Sequence, residues 1–142
     1  VLDAACGKLD AQALVGFRQA TDDDVRELAG DIHAECSRLM QDQQELVQST
    51  GLGLADSQVR ARFQNSTWDA VSELSATRPS RFDRVFLDRM IEDLESALAT
   101  VDGTLAETAN HDRVEELIDD QYVPMLRTNL ERARDLREDL VD

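Results

Sequence analysis

The chain has 142 residues, with Asp+Glu 30 against Lys+Arg 15 and a formal net charge of -15 at pH 7. That length suits one domain spanning residues 1–142, able to bury roughly two thirds of the surface its unfolded form exposes. So acidic a balance repels phosphate backbones and anionic lipid headgroups, which argues against nucleic-acid binding and membrane-surface attachment.

Helical periodicity runs through the chain in order. Leu2, Cys6, Leu9, Ala13, Gly16 and Ala20 recur at spacings of four and three and form one stripe of a first helix. Thr21 reads as an N-cap, with Asp22, Asp23 and Asp24 in the first turn, where the exposed N–H groups favour carboxylates. Val25, Ala29, Ile32, Cys36, Leu39, Gln43 and Leu46 make a second ladder, which Gly51 stops. With almost no loop between them, the two segments predict an antiparallel hairpin.

The connection from Gly51 to Pro79 is less regular. Asp56 can cap a helix carrying Val59, Phe63, Trp68, Val71 and Leu74, which Asn65, Ser66 and Thr67 are expected to break. Beyond Pro79 and a Ser80 cap, Leu87, Ile91, Leu94, Leu98, Val101 and Leu105 predict a long helix, backed by Phe82, Phe86 and Met90. Gly103 weakens that helix by about 1 kcal/mol without ending it. Asn110 then caps a last helix with Val114, Ile118, Tyr122, Met125, Asn129, Ala133, Leu136 and Leu140. Pro124 inside it frees the carbonyl of Asp120 and predicts a kink. The simplest burial of these stripes is an all-α antiparallel four-helix bundle, with a short extra or broken helix in the 51–79 connection.

The chemistry-bearing residues are few. No stretch is long and apolar enough to span a membrane, and Val1 to Asp10 lack the basic start and apolar run of an export signal. Bundles that hold two iron ions use Glu-x-x-His pairs, but Gly30 precedes His33 by three and Thr108 so precedes His111. Asp22 to Asp24 lack the spacing of a calcium loop and read as a helix start; Glu115, Glu116, Asp119 and Asp120 read as a solvated face. His111 reads as a surface residue beside the Asn110 cap, and Trp68 with Phe63 as the closure of one end of the core. Asn65, Ser66 and Thr67 match a glycosylation pattern common by chance.

The two cysteines say more. Cys6 lies fifteen residues before Thr21 and Cys36 fifteen after it, so a hairpin turning there brings them level on facing seams. Helices in contact can place such residues within disulfide reach, with Cα atoms closer than about 7 Å. A Cys6–Cys36 disulfide is the first reading; two buried reduced thiols filling the core is the other. The bond would stabilise by about 3 to 4 kcal/mol and implies an oxidising compartment. A third reading adds His33, so that Cys6, His33 and Cys36 offer three ligands to Zn²⁺ without an evident fourth. A catalytic Cys–His pair on a bundle seam would be buried away from substrate.

The run Phe82, Asp83, Arg84, Val85, Phe86, Leu87, Asp88, Arg89, Met90, Ile91, Glu92, Asp93, together with Val123, Pro124, Met125, Leu126, Arg127, Leu130 and Ala133, resembles a bacterial family known as domain of unknown function 4142. The order of helices and the short turn at Thr21 fit as well, so the resemblance covers nearly the whole chain. It implies a ferritin-like helical bundle, commonly exported to the periplasm or beyond, with no established activity. Where the family pattern carries three histidines, this chain has Cys36, Leu94 and Asn129. Any chemistry resting on that trio is expected to be lost here.

The expected function is therefore that of an exported helical bundle with a structural or interaction role, not an enzyme, with no catalytic residues and no cofactor. A protein partner of unknown identity is the expected contact, and location is expected to be periplasmic or extracellular. The alternative is a metal-binding or redox-active ferritin-like protein using Cys6, His33 and Cys36.

Overall fold

Apolar side chains spaced three and four apart bury one stripe only if the backbone is helical, and the structure follows that pattern closely. It is a computed structural model that describes residues 2–50, 57–107, 116 and 118–140. Among these the secondary structure is entirely helical: α1 (Leu2–Gln19), α2 (Asp23–Thr50), α3 (Ser57–Ala76), α4 (Pro79–Glu107), a π-helical segment (Ile118–Tyr122) and α5 (Val123–Asp139). Gly51, Asp56, Asn110 and His111 lie outside the described residues. No helix among the described residues is long and apolar enough to cross a membrane.

The turn between α1 and α2 is closed by local bonds. Ala20 donates its N–H to the carbonyl of Gly16 at 2.9 Å, which ends α1. Asp22, not Thr21, is the N-cap of α2: its Oδ1 accepts from the N–H groups of Asp24 at 2.8 Å and Val25 at 3.2 Å. These are the donors that a helix start leaves unpaired. Thr21 is freed from capping for a different contact, described below.

Helix α1 packs against α2, α3 and α4, while α5 packs against α2 and α4. Cross-helix bonds give the directions. Asp31 and Glu35 of α2 meet Arg132 and Asn129 of α5, and Asp88 and Glu95 of α4 meet Arg137 and Arg134. Since one partner number rises as the other falls, both pairs of helices are antiparallel.

The seams predicted from spacing are the core. Cys6, Leu9, Ala13, Val25, Ile32, Cys36, Leu39, Leu87, Leu94, Ile118, Tyr122, Met125 and Ala133 are all buried. Phe82, Phe86 and Met90 are fully buried too, with the two rings stacked at a centroid separation of 5.9 Å.

Three expectations are corrected. Among the described residues of the 51–79 connection, α3 runs for 20 residues, neither short nor broken at Asn65, Ser66 and Thr67. The helix cost of those residues is only tenths of a kcal/mol each, less than the burial of Ala70 and Leu74 gains. Trp68 does not close the core; it is 71% exposed, because the face α3 buries holds Ala70 beside the expected Leu74. Finally, α4 begins at Pro79, whose fixed φ and missing N–H suit the first helical position, so Ser80 is inside the helix rather than its cap.

The irregularity expected at Pro124 takes a definite form. The π-helical segment ends at Tyr122, and Pro124 falls in the first turn of α5. A π-turn is a local way to absorb the bond that proline cannot make.

Candidate functional site

Three polar side chains are buried among the described residues, namely Gln12, Asp83 and Asn129. A buried polar group is costly without partners, so where each one bonds shows what it is for. Asp83, near the start of α4, accepts from the Thr21 N–H and the Thr21 hydroxyl, both at 2.8 Å, and from the Asp22 N–H at 2.8 Å. One carboxylate thus ties α4 to the turn between α1 and α2.

Gln12 of α1 donates through Nε2 to the carboxylate of Asp93 in α4, whose other oxygen lies 3.2 Å from Lys8 Nζ. The single lysine of the chain is spent on this contact. Asn129 of α5 donates to Glu35 Oε2 at 2.7 Å and to the Met125 carbonyl at 3.0 Å. Both amide hydrogens are therefore used. The carbonyl oxygens of Gln12 and Asn129 have no partner among the described residues.

The sulfur layer lies between α1 and α2. Cys6 and Cys36 are unbonded in this structure, 1% and 0% exposed. The structure brings them together: Cys6 hydrogen-bonds with Cys36 and, with burial and the nearby Asp10 and Glu35 carboxylates, pushes the Cys36 thiol well above the ordinary thiol range. His33 does not join them. Its Nδ1 pairs with Asp10 on α1, and its side chain is 41% exposed. Among the described residues no group of three His, Cys, Asp or Glu side chains is placed to hold a metal ion.

The other acidic candidates are dispersed. Asp22 caps α2, Asp23 reaches Arg26 at 3.7 Å, and Asp119 and Asp120 are exposed. An open groove of about 550 Å³ lies between α2 and the start of α5, lined by Glu35, Arg38, Asp42, Asp120, Gln121 and Thr128 among others. Its three carboxylates face one guanidinium.

Asn129 was legible as a buried polar residue from its place on the last ladder. Gln12 and Asp83 were missed as ties. The signal was present, since Asp83 stands four before Leu87 and seven before Met90 on the buried stripe, and Gln12 stands three after Leu9.

An all-helical fold whose buried polar groups bridge helices is the class of protein this geometry defines. The chain belongs to the family described as domain of unknown function (DUF4142), whose profile matches residues 11–136. No curated protein and no solved structure matches the chain.

Proposed function

We propose that this protein is an exported, ferritin-like antiparallel four-helix bundle with a structural or interaction role and no catalytic site. The observation that carries the reading is the use made of the buried polar side chains. Gln12, Asp83 and Asn129 each fasten one helix to another or to a turn. Groups held in this way serve the rigidity of a scaffold rather than contact with a substrate. The cycle of neighbours α1–α2–α5–α4 supports the four-helix arrangement, with α3 lying against α1. Export rests on the family resemblance, and an interaction role is supported by the large exposed aromatics Trp68 and Phe17, a residue class enriched at interfaces.

The metal-binding alternative at Cys6, His33 and Cys36 would require His33 to leave Asp10. Elemental analysis of the purified protein, with fractionation of cells making the full-length chain, tests the reading. The expected result is no stoichiometric transition metal and protein outside the cytoplasm. Stoichiometric metal would overturn the structural role, and retention in the cytoplasm would overturn export.

A further inference from the structure

We propose that Cys6 and Cys36 are joined by a disulfide that forms before α1 closes onto α2 and is thereafter sealed from reductant and alkylating agent alike. The register of the two helices carries the pairing. Asp10 of α1 is bonded to His33 of α2. One turn further along each helix, four residues back from Asp10 and three on from His33, stand Cys6 and Cys36. Both lie in the buried core cluster that α1 and α2 share, with Cys6 near enough to act on the Cys36 thiol. Cys6 lies before the stretch matched by the family profile, so the pair is not something that match supplies.

Burial decides the timing. Oxidation by a disulfide reagent passes through a mixed disulfide: one cysteine thiolate attacks a sulfur of the oxidant and releases the first thiol. The second cysteine thiolate then attacks the sulfur of the first, forms the S–S bond and releases the second thiol. Two protein thiols lose two protons and two electrons, and the oxidant is reduced to two thiols. Side chains 1% and 0% exposed leave no path for such an intermediate in the folded bundle. The same burial keeps an external thiolate from reaching the bond once the helices have closed. The pair is thus a lock set once during folding, wherever a disulfide oxidant is present, and does not depend on the proposed role.

The test uses the whole chain, unfolded, reduced and refolded with oxidised and reduced glutathione. Because the chain has two cysteines in all, any intramolecular disulfide is this one. Intact-mass measurement after iodoacetamide in denaturant without reductant should show no label and a mass lower by two hydrogens. Dithiothreitol applied to the native protein should leave it unlabelled, whereas dithiothreitol in denaturant should give two labels. The crosslinked protein should melt about 10 °C above a Cys6→Ala, Cys36→Ala double variant that keeps the helical circular dichroism. Two labels without reductant, or a disulfide-linked dimer, would overturn the bond. Rapid reduction of the native protein would overturn the seal.

Discussion

Gly16 of α1 lies beneath the ring of Phe86 in α4, so near that a Cβ at position 16 would stand 2.5 Å from Cε2 of the ring. Phe86 is fully buried and stacked on Phe82, which leaves the ring nowhere to move. Gly16→Ala gains up to about 1 kcal/mol of helix propensity but must separate the two helices. Overpacking of this kind costs about 1 to 3 kcal/mol. We expect a net loss of about 1 kcal/mol, read as a lower urea midpoint; a variant more stable than the parent would show that the contact yields.

Asp83→Ala removes three bonds at once from the α1–α2 turn. Hydrogen bonds to a charged group contribute about 1.5 to 3 kcal/mol each. Thr21 and Asp22 are exposed, so water replaces part of what is lost, and about 2 to 3 kcal/mol of destabilisation is expected for the set. Asp83→Asn should lose less, because one carbonyl oxygen still accepts. Thermal melts of both variants check the order.

The contact between Asn129 and Glu35 should reverse sign in Asn129→Asp. The donor facing Glu35 Oε2 becomes an acceptor carrying like charge at a site 1% exposed. A deficit of about 2 kcal/mol or more is expected at pH 7. Protonation of the introduced carboxyl restores a donor, so the deficit should shrink as pH falls toward 4. Denaturant midpoints at the two pH values measure this.

In the reduced protein, Cys36 should make stability depend on alkaline pH. Its thiol is raised above the ordinary 9.0 by the hydrogen bond to Cys6, then by burial and nearby carboxylates. The folded chain therefore keeps a proton that the unfolded chain releases. The associated stability is fully present below pH 9.0 and is lost as pH rises above it, by at most about 1.4 kcal/mol per pH unit. Melting curves in reductant between pH 7 and 10.5 should show this decline. Cys36→Ala and the crosslinked protein should lack that component.

The helices were legible because their signal is local. A ladder such as Leu87, Leu94 and Val101 states its period within one segment, and the segment needs no knowledge of its neighbour to be helical. The hairpin turn at Thr21 also fixed the level of Cys6 against Cys36, since two helices joined by almost no loop have one antiparallel register. Trp68 was misplaced because a stripe says that something is buried without saying against what. For α3, packed on α1, the buried residue beside the expected Leu74 is Ala70.

By itself, then, the sequence determined an all-helical chain, most of its buried faces and the meeting of its two cysteines, all consequences of spacing within a helix or across one tight turn. The tertiary structure alone decided that Thr21 would bond with Asp83, Gln12 with Asp93 and Asn129 with Glu35. These partners stand 62, 81 and 94 residues apart. Nothing in either segment specifies the other until the apolar stripes have closed and brought these groups within reach of each other.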